Sequence, residues 1–305
     1  MSPASLSLRH FLLAIAVVAV WGTNFVVIRI GLDHLPPLFF ATLRFVFALL
    51  PAVFFLRRPA VSWGNLAAYG FLTGAGQFGA LFLAMQGSIS PGLASLVIQA
   101  QVFFTIGLSV ALAGERIRIF QLAALALGAA GIAVIAIHAD PSATPIGLAL
   151  VMLSALSWAM ANMAVRSSGT RDMVAYVVWA SLFAIPPLLA LSLVFEGAPV
   201  IWAGVRQSNA GTWGAVLWQA AGNTLFGFAA WGWLLARYPT AVVTPMALLV
   251  PVFGMAASAF WLGEPLPIWK LAAAALVLGG LATGLLYPRW KRMRTSGGLG
   301  SGSNA

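Results

Sequence analysis

The chain has no cysteine, only three histidines and only six acidic residues among its 305 positions, and each shortage closes off a class of chemistry. Without Cys there is no disulfide framework, no thiolate nucleophile and no Cys-ligated metal. His10, His34 and His138 are far apart near the ends of apolar runs, and none has a second ligand at the i, i+4 spacing of a zinc helix. Neither a metal nor a cofactor is therefore expected. Charged residues make up 7% of the chain, too few to cover the surface of a water-soluble domain of this length. The formal net charge is +10, but the bases are scattered at the ends of apolar runs. Nucleic-acid binding would want them gathered in a stripe, so it is not the reading.

What is there is hydrocarbon. The chain is 61% hydrophobic with a mean hydropathy of +0.97, values that belong in a lipid bilayer. Breaking it at Pro, Gly and charge clusters, with roughly 20 apolar residues per span, predicts an all-α integral membrane protein of ten transmembrane helices. They fall near 9–31, 37–56, 63–86, 91–113, 119–137, 146–165, 173–195, 212–235, 240–262 and 268–287. A barrel would need short alternating strands, which these runs are not. The first run follows Arg9 and His10 but is nearer a full span than a leader's core, and is read as the first helix.

With the N-terminus inside, Arg9, Arg57, Arg58, Arg116, Arg118, Arg166, Arg171, Arg237, Arg289, Lys291, Arg292 and Arg294 fall at inside ends. The outside keeps Arg29, Arg206 and Lys270. Because Lys and Arg beside a helix resist translocation, both termini are expected in the cytoplasm, and the loops 33–37, 139–145 and 196–211 outside.

The chain also repeats itself. "LAGERIRIFQLAALALGAAG" (112–131) aligns with "WLGEPLPIWKLAAAALVLGG" (261–280), and the Trp21 to Arg29 spacing recurs from Trp158 to Arg166. Helices one to five and six to ten then read as duplicates. Five is odd, so the second copy enters the membrane from the opposite side, giving the inverted repeats on which many transporters are built. The expected division is a first repeat over 1–140, an inverted second over 141–288, and a basic cytoplasmic end with a flexible tail over 289–305.

Polar groups inside hydrocarbon must face protein or a water-filled cavity. Mid-span amides are Asn24, Gln77, Gln99, Gln101, Asn162 and Asn223, either interhelical hydrogen-bonding groups or the lining of a solute pocket. Trp63, Trp202, Trp213, Trp261, Trp269 and Trp290 suit the aromatic belt. Trp21 and Trp158 sit about a dozen residues into their spans beside amides and, with Trp231, are candidates for a pocket wall. Arg44 is the one base well inside a span. It either snorkels to the outer interface or acts electrostatically, capping carbonyls or drawing in an anionic group, and its repeat counterpart near Ala180 has no charge. Pro91, Pro239, Pro245 and Pro251 flank or interrupt the fourth and ninth helices, where breaks can free carbonyls or act as gating hinges. "GAGQFG" (74–79) imitates the dinucleotide fingerprint but lies mid-helix with no following acid in range. Its glycines, with Gly70 and Gly280, read as small residues for close helix contact.

Taken together, "VWGTNFVVIR" (20–29), "LRF" (43–45), "LAGERI" (112–117) and "WLGEPL" (261–266) resemble the drug/metabolite transporter superfamily, in its ten-helix branch with two EamA-type repeats. The likeness runs over about 10–288 and is greatest to bacterial amino-acid metabolite exporters. The resemblance implies an inner-membrane exporter of amino acids or related small metabolites, with helices one, three, four, six, eight and nine around the cavity. Its partners would be a small-molecule substrate and the lipid bilayer, and a monomer is expected. An enzyme reading fails for want of a mid-depth acid, a Cys, or a His beside a Ser. A sugar-phosphate exchanger would want several cavity bases. No titratable acid is placed at mid-depth, so a uniporter or facilitator working by alternating access is the expectation. A proton-coupled antiporter and a passive channel are the alternatives.

Overall fold

The computed structural model describes residues 7–113, 119–138, 143–238 and 243–297. Its named elements are all helical, with one isolated β-bridge between Ile89 and Ala143. In order they are α1 (Leu8–Gly31), α2 (Pro37–Leu49), α3 (Trp63–Met85), α4 in two pieces (Pro91–Val97 and Ala100–Ala113), α5 (Ile119–Ile137), α6 (Pro145–Ser168), α7 (Met173–Phe195) and α8 (Ala198–Gln207). Then come α9, continuous through Ala210–Leu217, Trp218–Phe226 and Gly227–Arg237; α10, a 3₁₀ stretch Thr244–Leu249 leading into Val250–Leu262; and α11 (Ile268–Gly297). Among the described residues, seven helices are long and apolar enough to cross a membrane, and shorter apolar helices run over Met246–Leu262 and Ile268–Thr283. The protein is a multi-pass membrane protein.

Local chemistry sets the starts. Ser7, Ser62, Thr144 and Asp172 cap α1, α3, α6 and α7 by accepting from backbone N–H groups of the first turn, and Asn209 with Thr212 forms a reciprocal box on α9. Pro sits in the first turn of α2, α4 and α6, where its missing N–H costs nothing.

Three boundaries differ from the sequence reading. α2 stops at Leu49, not near 56, because Leu50 precedes Pro51 and is pushed to extended backbone (φ −100°, ψ 128°); a short 3₁₀ turn, Ala52–Phe54, follows. The segment 196–211, expected as an outside loop, is not plain loop: it contains α8, which buries Ile201 and Gly204 and leaves Trp202 57% exposed beneath the Arg206 guanidinium. An amphipathic surface helix of ten residues lies below the length of a span. α4 breaks at Ile98 and Gln99 with no proline there.

Helix pairing across the two halves is matched. α1 packs on α10 and α6 on α4; α1 also packs on α9 and α6 on α3; α2 lies on α9 and α7 on α3; and α2 meets α7 as α5 meets α11. Small residues permit the close approaches. A Cβ at Gly74 would lie 2.7 Å from the Ala184 Cβ, and one at Gly280 would lie 2.7 Å from the Ala124 carbonyl oxygen. Gly74→Leu is therefore expected to force α3 off α7 and to cost about 1–3 kcal/mol of stability through overpacking. Gly64→Leu, at a position where an added Cβ meets nothing within 4 Å, should leave the melting temperature in detergent unchanged.

Candidate functional site

Two helical stretches depart from α geometry. Leu72–Gly79 in α3 and Trp218–Phe226 in α9 are π-helical, a wide-turn form found mostly as short insertions and often at functional sites. They sit at corresponding places. Trp63-Gly64 near the start of α3 and Trp213-Gly214 in α9 are 213 − 63 = 150 positions apart, and shifting Leu72–Gly79 by 150 gives 222–229, which overlaps the second stretch. In the second stretch the Thr224 hydroxyl donates to the Gln219 carbonyl five residues back at 2.9 Å, a spacing that the wider turn brings into reach.

Arg44 of α2 lies between these two stretches and is 1% exposed, so it does not snorkel to the interface. Its Nη2 donates to Thr224 Oγ1 at 3.0 Å, its Nη1 to Gln219 Oε1, and its guanidinium carbon stands 3.6 Å from the Phe78 ring centre. With the Asn223 amide turned so that its oxygen faces the guanidinium, that oxygen accepts from both Nη1 and Nη2 at 2.9 Å. Among the described residues, Nε–H has no partner. On the other side of Asn223, its backbone carbonyl accepts from Trp21 Nε1 at 3.2 Å, and the Trp21 ring lies against Trp231 (5.2 Å between centres) and Phe228 (6.0 Å). Gly227 makes room, since a side chain there would collide with the Trp21 indole.

A second polar group crosses α4 and α6. Asn162 Nδ2 donates to Gln101 Oε1 at 3.0 Å and reaches Thr105 Oγ1 at 3.5 Å. The π stretch of α3 joins the two groups, because Ser154 of α6 donates to the Gln77 carbonyl at 2.8 Å and Ser157 packs under Gly76. A polar belt thus runs through α1, α9, α2, α3, α6 and α4.

Of the residues singled out by sequence, Trp21, Asn223, Trp231 and Arg44 come together, and Gln101 and Asn162 form the second group. Trp158 follows Ser157 and packs, half-buried, against the main apolar core. No hydrogen bond or ring contact joins it to Trp21 among the described residues. Asn24, Gln77 and Gln99 are buried, Gln99 at the break in α4 and Asn24 with its side-chain oxygen unpartnered among the described residues. Pro251 is buried at the start of the α-helical part of α10. The backbone of Pro245 lies in the preceding 3₁₀ stretch, with its side chain outside the described residues, as is Pro239 entirely. Shifted by 149, the spacing of Gly114 to Gly263, the break at Ile98 and Gln99 falls on Ala247 and Leu248, inside that 3₁₀ stretch. Sequence reasoning missed Gln219, Thr224 and Phe78. The i, i+4 spacing of Gln219 and Asn223 was the available signal.

The described acids are all engaged away from the belt. Glu196 accepts from Leu38 N (2.6 Å), Phe39 N (3.0 Å) and Ser192 Oγ (2.6 Å) at the start of α2. Glu264 accepts from Ser90 Oγ, from Gly92 N (2.9 Å) and from Lys270 Nζ (3.1 Å) at the start of α4, with both charged side chains nearly fully buried. Asp33 pairs with Arg29 at 2.5 Å and Asp172 caps α7. Glu115 and Asp140 lie outside the described residues. A cleft of about 400 Å³ opens at the Glu264 end, between Arg29 and Asp33 of the α1 end, Ser90 and Pro91 of α4, and the α10 end.

The chain matches the EamA-like transporter family over residues 8–137 and 145–285. It belongs to that family. It is 41% identical over 300 residues (96% of this chain, 100% of the relative) to a protein of Salmonella typhimurium named "Probable amino-acid metabolite efflux pump". It is 38% identical to the Escherichia coli K12 protein of the same name, over 94% of this chain and 98% of that one. A "Probable terminal-alkyne amino-acid exporter" of Streptantibioticus cattleyicolor is 30% identical over 87% of this chain and 89% of its own length. A crystal structure at 19% identity superposes with a TM-score of 0.61, covering 92% of this chain and 98% of that one, a likeness of fold. As an EamA-like protein the chain is a transporter and not an enzyme, and its surroundings are the bilayer and a small-molecule substrate.

For this EamA-like chain the Glu264–Lys270 pair gives a direct test of buried charge. Lys270→Met is expected to cost about 3–5 kcal/mol, because it leaves Glu264 buried and unneutralised, whereas Lys270→Met with Glu264→Gln should cost clearly less. Urea or thermal unfolding in detergent would measure both.

Proposed function

We propose that the protein exports amino acids or closely related metabolites across the bacterial inner membrane, by alternating access, as a uniporter or facilitator. The observation that carries this reading is the polar belt shared between α1, α2, α3 and α4 on one side and α6 and α9 on the other, in a chain of the EamA-like family. The named functions of the relatives supply the solute class. Ten spans arranged as two inverted repeats, 1–140 and 141–288, fit the matched cross-pairing, the corresponding π stretches and the corresponding helix breaks. An odd number of spans per repeat provides two equivalent packings, one open to each face. Trp21, Trp231 and Trp158 then serve as ring surfaces for the body of the solute. Asn24, Gln77, Gln99, Gln101, Asn162 and Asn223 supply neutral hydrogen bonds, and Pro245 and Pro251 lie where α10 changes helix type. The clustering of bases at alternate ends supports cytoplasmic termini, and we take the working unit to be a monomer.

The facilitator reading rests on where the acids are. A proton-driven antiporter generally carries a titratable group reachable from each side in turn. The described acids instead hold helix starts or pair with a base at the ends of the bundle, and the sequence assigns Glu115 to an inner end and Asp140 to an outer loop. In proteoliposomes, flux of a net-neutral amino acid should run in either direction, saturate, show counterflow, and continue after an uncoupler collapses the pH gradient. Uphill accumulation driven by an imposed pH gradient would establish the antiporter instead, and non-saturating flux without counterflow would establish a channel. Trp158→Ala should lower flux at matched protein levels, with Trp202→Ala leaving it near wild type. A cytoplasm-dependent reporter fused after Arg294 should be active, and activity of a periplasm-dependent one there would overturn the orientation.

A further inference from the structure

We propose that Arg44 is a carboxylate-recognition point on the solute pathway, at which the carboxylate of an organic solute takes the place of the Asn223 amide oxygen. The proposal rests on the export reading only in that the solute is brought to this site from the membrane-crossing route.

Arg44 is 1% exposed and always ionised, and taking an ion out of water is costly unless an opposite charge accompanies it. Its described surroundings are neutral: the side-chain oxygens of Gln219, Thr224 and Asn223, and the face of Phe78. These oxygens satisfy N–H groups but cancel no charge. Each described acid is committed elsewhere, to Arg29, to Lys270 or to a helix start.

The fork geometry suits a carboxylate. The Asn223 oxygen spans Nη1 and Nη2 at 2.9 Å each, and the fork it occupies is the one a carboxylate fills with two oxygens, each accepting a charge-assisted bond. Nε–H, buried and unpartnered among the described residues, remains as a further donor. Asn223 also marks the boundary with the ring cluster, since its own carbonyl holds the Trp21 indole, against which Trp231 and Phe228 lie. A solute that rests an apolar body on those rings has its carboxylate within one side chain's length of the guanidinium. The site is one-sided, because Ala180 stands at the corresponding place in the second half, so one carboxylate is recognised per protein.

A matched pair of probes isolates the charge: 3-phenylpropionate and 3-phenylpropanamide, titrated into the purified full-length protein in detergent, with tryptophan fluorescence and melting temperature as readouts. The acid should act at a concentration about tenfold below the amide, the worth of one charge-assisted bidentate contact. In Arg44→Gln the two should come within about twofold. Asn223→Asp sets a permanent carboxylate on the fork, so it should melt at or above the wild type and lose the acid preference. That variant decides the matter if Arg44→Gln does not fold. Equal responses of wild type to acid and amide, no response to the acid, or an acid preference that survives in either variant would overturn the proposal. Amino-acid flux in proteoliposomes separates the two readings. Flux unchanged in Arg44→Gln would sink the carboxylate role and leave export standing. An Arg44-dependent acid preference in a protein with no amino-acid flux would uphold the site and sink the solute class.

Discussion

A guanidinium with no carboxylate beside it among the described residues, held in the middle of a membrane protein, is the constraint around which the rest of the interior is arranged. Arg44 cannot lose its proton and cannot reach water, so every element near it must present an oxygen or a ring face. α9 presents Gln219, Asn223 and Thr224 in succession, and α3 presents Phe78. A regular α-helix separates neighbouring residues by about 100°, which would turn one of those three α9 side chains away. The wider π turn of Trp218–Phe226 keeps more of them on one side. In this account the departure from α geometry is the means by which the charge is housed.

The ends of the bundle use their charges differently. Glu196 and Glu264 come from the far half of the chain and accept from the first backbone N–H groups of α2 and α4 in the near half. Each carboxylate satisfies donors that no helix can pair internally, and each is favoured there by the helix dipole. The result is a pair of cross-half ties at one end of the bundle, one of them reinforced by Lys270. Acids spent on ties of this kind are not placed to carry a proton through the belt, and this links the architecture to the facilitator reading.

Between those levels, small residues decide which helices can meet. Gly74 and Gly280 sit where α3 meets α7 and where α11 meets α5, and without a hydrophobic drive between helices in lipid, contact distance is what packing has to work with. The sequence motif "GAGQFG", which imitates a nucleotide fingerprint, is in the structure both a close-packing surface and the first of the two π stretches.

Much of this was legible in the residues. Composition alone requires a bilayer, because six acids and sixteen bases cannot clothe so long a chain in water. Hydrophobic run length placed most helices, and the "GE" and "LAA" echoes raised the expectation of a duplication, since both are local or self-comparing signals. The amides at mid-span were found for the same reason: a polar residue in an apolar run stands out. What the tertiary structure decided is which of these groups meet. Asn24, Gln77 and Gln99 looked the same in sequence as Asn223, yet only Asn223 lies on Arg44, because that contact depends on the crossing of α2 and α9, 175 residues apart at Arg44 and Gln219. The helix breaks and π stretches were likewise invisible: no proline marks Ile98 and Gln99, and a π turn has no residue signature of its own. Arg44 itself could be read as snorkelling or as buried until its neighbours were in place, because the cost of burying a charge is set by what surrounds it, and residues distant in the chain are what surround it here.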